Sequence, residues 1–100
     1  MNMFETHREG SILEVKIPRN FNLWVKNMIE NRLGKEVTQL IVDLTRCKIV
    51  DSEAVIFMYE WQNNGHTLIL VNPPEIFFEI VDILELENEW QLNVSKTKAG

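Results

Sequence analysis

The sequence is short of cysteine, glycine and proline, has no excess of basic residues and no long apolar run, and each shortage closes off a class of function. One cysteine among 100 residues, Cys47, leaves no internal disulfide, which agrees with a reducing compartment. The four glycines stand far apart and form no phosphate-cradling loop. Ten Lys and Arg against fifteen Asp and Glu give a net charge of -5. With no basic excess to neutralise phosphates, neither nucleic acid nor an anionic membrane surface is an expected partner. Apolar stretches break well short of the ~20 residues of a spanning helix, and residues 1–10 hold no signal-peptide core. No membrane insertion is expected, and the location implied is cytoplasmic. His7, Cys47 and His66 lack metal-ligand spacing, and no base or orienting group joins Cys47 in a nucleophile motif. The expectation is a non-enzyme without a cofactor.

What the chain does contain is ordinary globular material, 45% hydrophobic and 25% charged, enough for one modest core and a single domain over residues 1–100. Residues 12–17, I-L-E-V-K-I, alternate Leu13, Val15 and Ile17 against Glu14 and Lys16, the pattern of a half-buried strand. Residues 8–11 read as a turn before it and residues 4–7 as a short partner strand. After Pro18, Asn20 or Asn22 suits a helix cap, with Phe21, Val25, Met28 and Ile29 at helical spacing and Gly34 at the close. Residues 39–44, Q-L-I-V-D-L, are almost continuously apolar, as in a central strand covered on both faces. A second helix fits residues 52–64, ended by Gly65, and residues 67–71, T-L-I-L-V, give another buried strand. Asn72-Pro73-Pro74 opens a third helix running to about Leu86. Trp90, Leu92 and Val94 alternate as an edge strand, and residues 96–100 are expected to fray.

Two buried strands each followed by a helix imply parallel pairing through right-handed crossovers. The fold class expected is α/β: a mixed, mostly parallel sheet with helices packed on it, in the order β-β-α-β-α-β-α-β. Sites in such sheets lie beyond the carboxyl ends of the strands, here residues 45–52 and 72–75.

Asp51 and Ser52 precede the second helix, where unpaired N–H groups and the helix dipole favour negative charge. Two readings stand: one of the pair is an N-cap, worth about 1 kcal/mol, or Ser52 is a phosphoacceptor at a site suited to hold its charge. At ~100° per residue, Ala54, Phe57, Met58 and Trp61 make the core stripe of this helix, while Ile56 and Tyr59 lie on the side of Ser52. That apolar pair is either an interface anchor or the scattered surface apolar content normal to proteins. In the third helix Ile76, Phe77, Ile80, Ile83 and Leu84 make a core face. Phe78 falls among Glu75, Glu79, Asp82 and Glu85, in a stretch from 75 to 89 with six carboxylates and no Lys or Arg. The alternatives are a solvated face with one misplaced aromatic or a dock for a basic partner.

The stretch from Thr38 to Leu86 resembles the STAS domain of anti-sigma-factor antagonists. The resemblance is carried by L-I-V-D-L (residues 40–44), I-V-D-S (49–52), G-H-T-L-I-L-V-N-P (65–73) and L-E-L (84–86). It implies a bacterial regulator of transcription whose unphosphorylated form binds an anti-sigma kinase and whose phosphorylation, on the serine after the aspartate, ends the interaction. By position Ser52 matches that serine and Asp51 the aspartate, and the partner surface expected is Asp51, Ser52, Glu53, Ile56, Tyr59 and Phe78. Family members usually continue D-S-[ST]-G; here Glu53 and Ala54 follow, placing a like charge beside any phosphate. Pro18-Arg19-Asn20-Phe21 stands where many members have a Gly-x-x-Asp-like stretch, and with six residues after Val94 the family's usual C-terminal helix is not expected in this sequence. Two functions follow as alternatives. The first is a phosphorylation-switched partner of an anti-sigma factor, serine kinase or other regulatory protein. The second is a non-phosphorylated STAS subunit of a lipid-transport ABC system or of a sensor scaffold.

Overall fold

A computed structural model of the chain describes residues 4–95; the expected fraying of residues 96–100 lies outside them. Along the chain run β1 (Glu5–Glu9), β2 (Ile12–Lys16), β3 (Asn20–Phe21), α1 (Leu23–Leu33), β4 (Gln39–Asp43), β5 (Ile49–Val50), α2 (Ser52–Asn63), β6 (Thr67–Val71), α3 (Glu75–Ile83) and β7 (Val94–Ser95). Five strands form the main sheet in the order β1-β2-β4-β6-β7. β1 and β2 are antiparallel, with Glu5 opposite Lys16, and every other neighbouring pair is parallel. The mixed, mostly parallel α/β sheet is the expected one, and its main strands and helices keep the expected order. The hairpin turn is tighter than the sequence suggests: Arg8 and Glu9 remain in β1, and only Gly10 and Ser11 connect the strands.

Strand order then fixes the layering. From β2 to β4 to β6 to β7 each parallel step moves the same way across the sheet, so right-handed crossovers place all three helices on one face. Leu13, Val15, Leu40, Val42, Leu68 and Leu70 are buried beneath them, whereas Glu14, Ile41 and Ile69, which share a row on the other face, are partly open. The expectation that residues 39–44 are covered on both faces is therefore corrected. β4 is central, but Ile41 is apolar without being enclosed.

The helices fit their sequence signals with identifiable exceptions. Asn22 caps α1, its Oδ1 accepting the Val25 N–H at 3.0 Å. Phe21 belongs to β3 rather than to the helix and is wholly buried. Gly34 and Gly65, which follow α1 and α2, hold positive φ of 58° and 92°, a conformation glycine adopts without steric cost. α2 buries Ala54, Phe57, Met58 and Trp61 as its spacing predicts, together with Val55. α3 buries Phe77 and Val81, with Ile76, Ile80 and Leu84 half-buried against the core. Ile83 does not join them. It is 76% exposed, because α3 stops there and the chain turns away through Glu85 at φ 59°, leaving nothing over that side of the last turn.

Beyond α3 the chain returns to the helix layer. Trp90 is buried against Phe77 and Tyr59, ring centroids 5.8 and 5.5 Å apart, and its indole N–H donates to Gln62 Oε1 at 3.2 Å. The expected edge strand from Trp90 shrinks to β7, since Trp90 is committed to this packing before the chain reaches the sheet. No helix among the described residues is long and apolar enough to cross a membrane.

Candidate functional site: paired helix starts at the sheet rim

β2, β4 and β6 each lead on to their helix from the same rim, where the carboxyl ends of these parallel strands lie. A small parallel ribbon stands on that rim, with Asn20 opposite Ile49 and Phe21 opposite Val50. Each of its strands runs straight into a helix: β3 through Asn22 into α1, and β5 through Asp51 into α2. The Asp51 N–H donates to the Phe21 carbonyl at 2.9 Å, and the N–H groups of Lys48 and Ile49 donate to the Arg19 carbonyl at 2.8 and 3.1 Å. Two helix amino ends are thus set side by side, since α1 also packs against α2.

The two ends differ in how they are finished. Asn22 supplies a side-chain cap, whereas the Asp51 carboxylate takes no N–H of the first turn of α2 although Asp51 holds the N-cap position. Asp51, Ser52 and Glu53 are all exposed, with Ser52 the first helical residue. The amino end of α2 therefore presents a hydroxyl flanked by two carboxylates. On the elements that meet at this corner stand four exposed apolar side chains: Leu23 (45%) and Trp24 (59%) in the first turn of α1, Ile49 (47%) on β5 and Ile56 (38%) on α2. Asn20 Oδ1, on β3, is buried without a hydrogen-bond partner, a cost of about 1–3 kcal/mol carried at the same place.

Side-chain bonds stiffen the rim behind the corner. The Asp43 carboxylate accepts from both the backbone N–H and the hydroxyl of Thr45, and Asn72 Nδ2 donates to Thr45 Oγ1 at 2.9 Å. Asn72 holds φ at 51°, a left-handed conformation that asparagine tolerates better than most residues. Cys47 is enclosed in this region, its Sγ donating to the Ile49 carbonyl at 3.3 Å. Burial pushes its thiol pKa above the ordinary 9.0, against the lowering effect of backbone hydrogen bonds at Ile49 and Phe21. A buried, protonated sulfur is structural rather than nucleophilic.

The residues singled out from the sequence separate into three groups. Asp51, Ser52, Glu53 and Ile56 lie together at the start of α2. Tyr59, two turns on, is half-buried, edge-on to Trp90, with its hydroxyl 3.4 Å from Glu89 Oε2. Phe78 is 44% exposed on α3 and lines a separate depression with Asn72, Pro73, Glu75 and Val94. Leu23, Trp24 and Ile49 were not marked by sequence reasoning. The available signal was Asn22 as a cap, which puts Leu23 and Trp24 in a first turn; the pairing of β3 with β5 is a tertiary contact that no local pattern announces.

Comparison with solved structures places this architecture. The anti-sigma factor antagonist SpoIIAA in its unphosphorylated form matches over 97% of this chain and 90% of its own, with a TM-score of 0.71 at 14% identity. The chain has the SpoIIAA fold. The phosphorylated form of SpoIIAA, described as a Bacillus cell fate determinant, matches over 97% of this chain and 93% of its own, with a TM-score of 0.67 at 15% identity. No protein-family model and no curated protein matches the sequence. The SpoIIAA-like, or STAS, fold carries its helices and sheet in the arrangement described above, and the likeness is one of fold.

Proposed function

We propose that this chain is a regulatory docking module of the anti-sigma-factor-antagonist type, which presents the paired starts of α1 and α2 to a protein partner such as an anti-sigma factor or its serine kinase. The observation that carries the reading is an exposed Ser52 at a helix start, on a corner with Leu23, Trp24, Ile49 and Ile56 also exposed. Large apolar and aromatic side chains left open beside a polar centre are what interfaces use as anchors. Trp24 is the strongest, because a half-open indole offers a large contact area at small entropic cost.

Ser52 is the proposed switch. A phosphate there adds nearly two negative charges; the helix dipole favours them, while Asp51 and Glu53 oppose them. On an interface formed around a neutral serine, that charge brings repulsion and desolvation cost, so the modified form releases its partner. Incubation with the cognate kinase and ATP is expected to add one phosphate at Ser52, seen by mass spectrometry, and Ser52→Asp is expected to weaken partner binding. Trp24→Ala is expected to weaken binding at least about tenfold with an unchanged melting temperature. Unmodified Ser52 with binding intact removes the switch; binding indifferent to both Trp24→Ala and Ser52→Asp removes the corner itself.

Glu53 favours a second form of the reading. A permanent carboxylate next to Ser52 suits a constitutive partner, such as a STAS subunit of a lipid-transport ABC system or a sensor scaffold. In that case Trp24→Ala weakens binding and kinase treatment does nothing.

A further inference from the structure

We propose a second docking surface, on the outer side of α3, for a positively charged amphipathic segment of a protein partner. It rests on a shallow apolar depression lined by Pro73, Phe78 and Val94, with Asn72 and Glu75 at its margin. Phe78 is 44% and Val94 42% exposed. The Phe78 ring is not loose: it stands edge-on to Phe77, 5.2 Å away at 81°, and Phe77 is wholly buried. An aromatic exposed on one side and seated on the core on the other is a pre-ordered anchor, which lowers the entropy lost on binding.

Charge selects the occupant. Glu75 and Asp82 lie three residues before and four after Phe78, so they share its exposed side of the helix, and the exposed Glu79 borders that side. Among the described residues none of the three has a cation within ion-pair reach. From Glu75 to Glu89 the chain has six carboxylates and no Lys or Arg. The complement of an apolar slot with Glu75 at its margin and Glu79 and Asp82 exposed on the same helix is a segment with one apolar side chain for the slot and Lys or Arg around it. An anionic lipid surface is repelled by the same field. A second copy would bring another acidic helix, on a chain whose net charge is already -5.

The surface is independent of the Ser52 corner and is testable without knowing the partner. The probe is a synthetic amphipathic peptide of Leu and Lys in helical spacing, with a control in which every Lys is Gln. Titrated into the isotope-labelled chain, the Lys peptide is expected to shift the amide signals of Asn72, of residues 75–82 and of Val94. Raising salt to about 0.5 M is expected to abolish the effect through screening. The Gln peptide and the Phe78→Ser chain are each expected to bind at least about tenfold more weakly. The paired change Glu79→Gln and Asp82→Asn, which removes no packed atoms, is expected to weaken binding and flatten its salt dependence. Shifts centred on Ser52, equal binding of the Gln peptide, or indifference to both sets of substitutions overturns the proposal. Concentration-dependent shifts at Phe78 without peptide also overturn it, assigning the surface to a second copy.

Discussion

Cys47 shows how a residue's surroundings set its chemistry. It sits within the rim that holds β5, its sulfur donating to a backbone carbonyl and its exposure only 2%. Desolvation disfavours the thiolate, so the folded pKa lies above the ordinary 9.0. The sign follows from linkage: a thiol whose folded pKa is raised binds its proton more tightly when folded. Its contribution is complete below pH 9.0 and is lost as pH rises through the folded value. Urea melts at increasing alkaline pH are expected to show stability falling from about pH 9 upward, with the fall reduced in Cys47→Ala. An aromatic disulfide reagent is expected to leave the native thiol untouched and to label it on unfolding. Rapid labelling of the native protein contradicts the enclosure described here. The same residue was set aside as a nucleophile in the sequence for want of a base, and its burial adds a second reason.

At the scale of elements, the two helix starts make a contrast that substitution can measure. Asn22 accepts a first-turn N–H while Asp51 does not, so Asn22→Ala is expected to cost about 1 kcal/mol. Asp51→Ala removes only the interaction of its charge with the helix dipole and is expected to cost about 0.5 kcal/mol. Equal losses in denaturant melts contradict the difference in capping.

The end of α3 is finished by a Schellman motif: the Leu86 N–H reaches the Val81 carbonyl and the Glu85 N–H reaches that of Asp82, both at 3.0 Å. The residue at its left-handed position is Glu85 rather than glycine. For this reason the helix reads in sequence as running on to Leu86. Left-handed backbone costs a side chain about 1–2 kcal/mol, partly offset by the entropy glycine loses on folding. Glu85→Gly is accordingly expected to raise stability by about 0.5–1 kcal/mol, which a rise in melting temperature checks. β3 and β5, two residues each, have no periodicity for a sequence to show, although they set the corner on which the functional reading rests.

At the scale of the whole molecule, the sheet has one covered face and one open one. Alternation made this visible in β2, where Glu14 and Lys16 mark the open side. In β4 and β6 it was concealed because Ile41 and Ile69 are apolar on that side too. Sequence patterning reports the polarity of a position, not the presence of a second layer. The β1 edge is managed differently: every residue of β1 is exposed, and Glu5, Arg8 and Glu9 give it charge that discourages strand addition. Gathering all helices on one face also puts all helix starts at one rim, so the fold concentrates its exposed helix ends in a small region.

Neighbouring residues of β4 test this layering directly. Leu40 is wholly buried under the helices, so Leu40→Ala is expected to cost about 2–5 kcal/mol. Ile41, one position along and pointing to the opposite face, is only half-buried; Ile41→Thr is expected to cost less than about 1 kcal/mol, because the hydroxyl meets water and threonine keeps the β-branched shape strands favour. Leu68 and Ile69 on β6 are expected to repeat the contrast, being in register with that pair. If denaturant melts gave equal losses at Leu40 and Ile41, a second layer would have to cover the sheet, and the crossovers could not all run on one side.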